Sequence, residues 1–214
     1  MTLAVHDLPL FLMAALLVNL TPGPDMLFVA GSSAAQGQRA GVLAALGVGA
    51  GCLVHVTLAA VGLSALLAAS TTAFAIVKWV GAAYLVWVGV AMLRARGSAE
   101  AGPTAALPRG WSRVFWQGAW TNALNPKVAL FFLAFLPQFI SPGVAGQALS
   151  FVLLGLVFTL GGTAVNVMVA LLASRVRRSL AARGGAGGRL GPWLQRAAGA
   201  LFIGLGLKLA LGSR

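Results

Sequence analysis

Acidic residues are nearly absent from this chain. Its 214 residues contain three, Asp7, Asp25 and Glu100, beside fifteen Lys and Arg. Charged residues of both signs make up 8% of the chain, where an ordinary soluble domain has about a quarter. A fold with so little charge cannot clothe itself in water, but a bilayer removes that need. Cysteine is also scarce. Cys52 stands alone, which excludes an internal disulfide and a Cys-based zinc site. Two histidines, three acids and one cysteine offer no nucleophile with its base and no clustered metal ligands, so an enzyme is not indicated. Few acids also count against a metal-cation exporter. No Lys or Arg precedes the first apolar run. That run therefore reads as a retained helix rather than a cleaved signal peptide.

Apolar residues are plentiful, at 59%. They gather in about six segments, 8–31, 41–68, 72–93, 114–136, 147–173 and 192–211. Each is long enough for a hydrocarbon core of about 30 Å, which takes about 20 helical residues. The runs lack the alternation of a membrane β-barrel. The expected fold class is an all-α membrane protein. The net charge of +12 would suggest nucleic acid in a soluble protein. Here the basic residues fall between apolar runs, and no polar surface remains to carry such an interface.

Basic residues also orient the chain. Arg39 follows the first segment; Arg94, Arg96, Arg109 and Arg113 follow the third; Arg175, Arg177, Arg178, Arg183 and Arg189 follow the fifth. The 2–3 and 4–5 connections have none. The basic loops should be cytoplasmic, with both termini periplasmic. Arg214 opposes this assignment, and a five-span form with an interfacial first segment stays open. Trp111, Trp116 and Trp193 stand near predicted helix starts, where indole favours the membrane interface. The glycine run at 184–188 reads as a loop, because a phosphate cradle would need a preceding strand.

The chain repeats itself. Asn19-Leu20-Thr21-Pro22-Gly23-Pro24-Asp25 aligns with 122–127 across one gap, Gly51–Val56 with Gly162–Val167, and Lys78–Leu85 with Arg196–Ile203. The expected units are 1–96 and 111–214, each of three helices, joined by a cytoplasmic linker over 97–110. Three spans is an odd number, so the halves should be inverted, an arrangement that places transporter sites between repeats near the midplane.

Segments 1 and 4 break at equivalent places, at Pro22, Gly23 and Pro24 and at Pro126. Proline lacks an N–H and clashes with earlier carbonyls. The freed backbone must find partners or line a wet cavity. Asn19, Thr21, Asn122 and Asn125 can heal the kinks or serve a ligand. Asp25 and Lys127 follow the breaks directly. A charge within a span costs at least about 2.5 kcal/mol and is usually paired or functional. The pair could bind the ammonium and carboxylate of an amino acid, or form a structural salt bridge. Asp25 should lie in the cytoplasmic half and Lys127 nearer the middle or outer half, several ångströms apart in depth. His55 and Asn166 occupy matching positions. His55 could carry a proton, since imidazole titrates near neutrality, or simply pack. Cys52 and His55 share a helix face, and Thr159, Thr163 and Asn166 make a similar stripe. Gly47, Gly49 and Gly51 suit close helix packing.

The run Asn19-x-Thr21-Pro22-Gly23-Pro24-Asp25 resembles the LysE/RhtB family of amino-acid exporters. So do Asn125-Pro126-Lys127-Val128-Ala129-Leu130-Phe131-Phe132, then Leu136-Pro137-Gln138-Phe139, and Lys78-x-x-Gly81-Ala82-x-Tyr84-Leu85-x-x-x-Gly89. The resemblance covers essentially the whole chain. It implies a bacterial inner-membrane exporter of amino acids or their derivatives, driven by the proton gradient. No cofactor or metal is expected. With no second acid in a span to meet a basic side chain, the substrate leans towards a neutral or small polar amino acid. An exporter of another small cation or metabolite, and an accessory subunit without transport, are the alternatives. The expected partners are a small zwitterion and the bilayer, with a homodimer admitted.

Overall fold

Proline decides where the first helices end. The computed structural model describes residues 5–63, 72, 79, 83, 86, 90, 110–141 and 146–183. Apart from those isolated positions, the third and sixth apolar segments, the linker, the glycine run, Trp193 and the third repeat match lie outside the described residues. Helix α1 spans Leu8–Leu20 and α2 spans Pro24–Gln36. A proline disfavours the α conformation in the residue before it. Accordingly Thr21, before Pro22, has ψ 122°, and Gly23, before Pro24, has ψ −177°. Pro24 then takes the first position of α2, where its missing N–H costs nothing. The two helices meet at 49° and together form one broken apolar span. Gly37 ends α2 with φ 92°, a conformation that favours glycine.

Helix α3 follows at Gln38–Leu58 and runs into a π turn, Ala59–Leu63. The second broken helix begins with α4, Trp111–Ala123. Asn125, before Pro126, has ψ 110°, and α5 resumes at Pro126–Leu130. A π turn, Phe131–Phe135, and a 3₁₀ turn, Leu136–Phe139, complete it. Helix α6 is continuous over Gln147–Arg183. Among the described residues there is no strand, only one isolated bridge between Val5 and Ile140. The stretches Gln38–Gly62 and Gln147–Val176 are each long and apolar enough to cross a membrane. Leu12, Met13, Leu16, Leu58, Val61 and Leu160 are exposed, which suits a lipid-facing surface. The protein is an all-α membrane protein.

One expectation needs correcting. The basic residues after the fifth apolar segment predict a loop there, yet α6 continues through Arg175, Arg177, Arg178 and Arg183. Charge ends an apolar span but does not end a helix. No proline or glycine lies between Thr163 and Arg183, so backbone hydrogen bonding continues past the apolar stretch. At about 1.5 Å per residue, the helix outruns the hydrocarbon and carries its arginines beyond it.

Two cores hold the elements. Phe11, Phe131, Phe132, Phe135, Phe139 and Phe158 form the larger one. The rings of Phe131 and Phe158 stack at 4.4 Å, and Phe11 meets Phe139 edge-on at 5.4 Å. Val29, Ala44, Ala45, Val48, Val114 and Ala170 form the smaller one. There α3 and α4 touch backbone to backbone. A Cβ on Gly47 would strike the Phe115 carbonyl, one on Gly51 the Ala119 carbonyl, and one on Gly118 the Ala44 carbonyl. Gly49 faces Thr163 of α6 instead. Small residues admit this approach where lipid offers no hydrophobic drive. Gly51→Val should destabilise the protein by about 1–3 kcal/mol or more through overpacking, because the opposing group is backbone and cannot swing aside. Thermal unfolding in detergent would read this as a lowered midpoint.

Candidate functional site

The two breaks face each other, and each is completed by the other. Asp25 occupies the first turn of α2, where the helix dipole favours an anion. It is 6% exposed. Two amides from the second break hold it: Asn122 Nδ2 donates to Oδ2 at 2.9 Å, and Asn125 Nδ2 donates to Oδ1 at 2.8 Å. Hydrogen bonds to a charged acceptor are worth about 1.5–3 kcal/mol each. Asn125 also caps α5, its Oδ1 accepting from the Lys127 backbone N–H at 3.0 Å.

Lys127 answers in the opposite direction. A cation in the first turn of α5 sits at the unfavourable end of that helix's dipole. Its side chain leaves α5 and reaches the C-terminal end of α1. There Nζ donates to the carbonyls of Thr21 at 3.1 Å and Val18 at 3.3 Å. Those oxygens lie at the helix end, where intrahelical donors run out; the Val18 carbonyl also accepts from the Thr21 N–H at 3.2 Å. Gly23 makes room, since a Cβ there would stand 3.1 Å from Nζ. Asp25 and Lys127 form no ion pair; among the described residues that geometry occurs only between His6 and Asp7. The salt bridge left open by the sequence is therefore not formed.

A cavity lies between the breaks. Asn19, Thr21, Asp25, Asn122, Lys127 and Asn166 supply its polar wall, together with Thr159 and Cys52. Met26, Val48, Val128 and Phe158 supply apolar wall, and Gly49 and Gly162 supply no side chain. Its volume is about 20 Å³, room for about one small group. Asn19 donates from Nδ2 to the Phe158 carbonyl at 3.1 Å. The Thr159 hydroxyl lies 2.8 Å from the Gly155 carbonyl and 3.2 Å from Cys52 Sγ.

Asn125 and His55, both singled out from the sequence, do not line the cavity; they stand behind it. His55 Nε2 lies 3.0 Å from the Asn122 carbonyl, an acceptor, so Nε2 carries the proton. Its ring packs 5.9 Å from that of Phe132. The apolar wall residues were not singled out. Met26 and Val128 directly follow Asp25 and Lys127, which is the one signal that could have found them. Phe158 and Val48 resemble the many apolar residues around them.

Comparison with known proteins agrees in extent with this geometry. The family model for the LysE type translocator matches residues 16–213. An uncharacterised membrane protein of Pseudomonas aeruginosa is 36% identical over 98% of this chain and 97% of its own length. The homoserine/homoserine lactone efflux protein of Salmonella typhimurium is 32% identical over 94% of each chain. A leucine efflux protein of Klebsiella pneumoniae is 35% identical over 63% of this chain and 66% of its own. No solved structure matches. A match running through both proline breaks and almost to the C-terminus leaves one conclusion: the chain belongs to the LysE type translocator family and is a transporter, not an enzyme.

Proposed function

We propose that this protein exports a small neutral amino acid, or a derivative of one, from the bacterial cytoplasm across the inner membrane in exchange for protons. One observation carries the reading. A buried acid and a half-buried base share a cavity wall without neutralising each other. A carboxylate has about four acceptor positions, and the two amides on Asp25 occupy two of them. An ammonium group has three donors, and two of those on Lys127 go to backbone carbonyls. Each charge therefore keeps capacity for a ligand. An α-amino acid carries the complementary pair, its ammonium for Asp25 and its carboxylate for Lys127. Among the described residues the remaining wall carries no charge, which suits an uncharged side chain. Homoserine and leucine, named in two relatives, are of that kind.

The cycle follows from competition. Substrate ammonium and a proton cannot both neutralise Asp25. A proton arriving from the periplasm displaces substrate there and returns the empty site inward. The two broken helices belong to opposed three-helix halves, 1–96 and 111–214. They rock about this cavity with the basic connections on the cytoplasmic side, in the manner of inverted repeats.

Efflux of labelled homoserine and leucine from proteoliposomes, with and without a pH gradient, tests the scheme. One-for-one exchange converts one pH unit, about 1.4 kcal/mol, into a substrate ratio of about tenfold. Collapsing the gradient should remove that ratio. A ratio that never exceeds one, whatever the gradient, would leave a uniporter.

A further inference from the structure

Among the described residues, two buried oxygens have no hydrogen-bond partner, Asn122 Oδ1 and Asn166 Oδ1. Their residues are 3% and 8% exposed, and both belong to the wall of the same cavity. A buried acceptor left unsatisfied is costly, and native proteins leave few of them. For Asn122 the orientation is forced. Asp25 can only accept, so Nδ2 must face it, and Oδ1 must face elsewhere. Exchanging the two ends of the amide would set oxygen against carboxylate. The unpartnered oxygens beside this space thus stand on two helices, Asn122 on α4 and Asn166 on α6, next to the spare acceptor positions of Asp25 on α2. Lys127 is the cation of the same wall, and its Nζ already lies on the α1 carbonyls. A set of acceptors selects a donor. The cavity has room for about one group the size of water or ammonium.

We infer that Asn122, Asn166 and Asp25 form a three-acceptor seat for a primary ammonium group, restricting the transported class to amines that bear all three N–H bonds. This rests on the export reading above and narrows it. The seat takes one N–H on each acceptor, and the charge falls on Asp25. An N-methyl group replaces one donor, leaves one buried oxygen unpaired and needs space that the seat lacks. An N-acetyl group removes the charge as well. Asn166 thereby becomes a specificity-determining residue, on the helix that contributes neither Asp25 nor Lys127.

The test uses the full-length protein in proteoliposomes. Whichever of homoserine or leucine is exported is compared with its N-methyl and N-acetyl forms. The N-methyl form should be exported about 10- to 100-fold less efficiently, as expected for one unpaired buried acceptor, and the N-acetyl form not at all. Asn166→Ala should raise KM for the parent amino acid and shrink the N-methyl penalty towards unity. The wild-type comparison stands without that variant if the variant fails to fold. Equal export of parent and N-methyl forms overturns the seat while leaving the exporter intact, and assigns the oxygens to a bound water. Equal export that also requires sodium overturns it in favour of a sodium ion. Export of no amino acid overturns the proposed function and the seat with it.

Discussion

Export by Asp25→Asn is expected to fall by about 100-fold or more, the scale set by losing charge-assisted hydrogen bonds of about 1.5–3 kcal/mol each, while the protein still reaches the membrane. The substitution is nearly isosteric, so packing is kept. Its chemistry is not kept. Asp25 accepts from Asn122 Nδ2 and Asn125 Nδ2, one on each oxygen. An amide offers one oxygen and one NH2, so one of the two asparagines meets a donor instead of an acceptor. The charge that would receive an ammonium group or a proton is lost at the same time. Membrane abundance by immunoblot and efflux from the same cells give the two readings. Wild-type export at normal abundance would remove Asp25 from the mechanism.

Lys127→Met should have an effect of similar size with a different signature. Methionine preserves much of the apolar stem and removes Nζ. The Thr21 carbonyl then loses the Nζ donor and the Val18 carbonyl keeps only the Thr21 N–H, and the C-terminal end of α1 loses a cation at the favourable end of its dipole. Export should fall by about 100-fold, again the scale of charge-assisted hydrogen bonds, and the unfolding midpoint should drop as well. Lys127→Arg keeps the charge but brings a broad guanidinium to a place sized by Gly23. It should restore the midpoint better than it restores export. A variant lacking Nζ that exports normally would show that Lys127 only braces α1.

Much of this site was legible because proline is legible. Pro22, Pro24 and Pro126 mark both breaks, and Asp25 and Lys127 follow them in register. Of the eight polar residues singled out, the six on the cavity wall lie in or beside the breaks or in the stripes of matching position. What the residues could not reveal is which group each charge would meet. Alignment of 19–25 with 122–127 shows that the two stretches are equivalent, not that they touch. Opposite signs suggest mutual attraction, yet Asp25 goes to two amides and Lys127 to two carbonyls. That choice depends on how the broken helices cross, and crossing is set by packing, such as the glycine contacts of α3 with α4. The length of α6 was misread for a related reason. Hydropathy reports where lipid ends, whereas a helix stops where backbone bonding is interrupted.

The exchange of partners between the breaks also bears on how the protein is made. Asp25 leaves the ribosome 97 residues ahead of Asn122 and 100 ahead of Asn125. Until those amides arrive, the first broken helix holds an unpaired acid in hydrocarbon, at a cost of at least about 2.5 kcal/mol. Lys127 has no such wait, because the carbonyls of Val18 and Thr21 have already been synthesised when it emerges. The early half should therefore linger near the interface or the insertion machinery until the late half locks it in place. Produced as two separate polypeptides, the late half should rescue the early one from degradation.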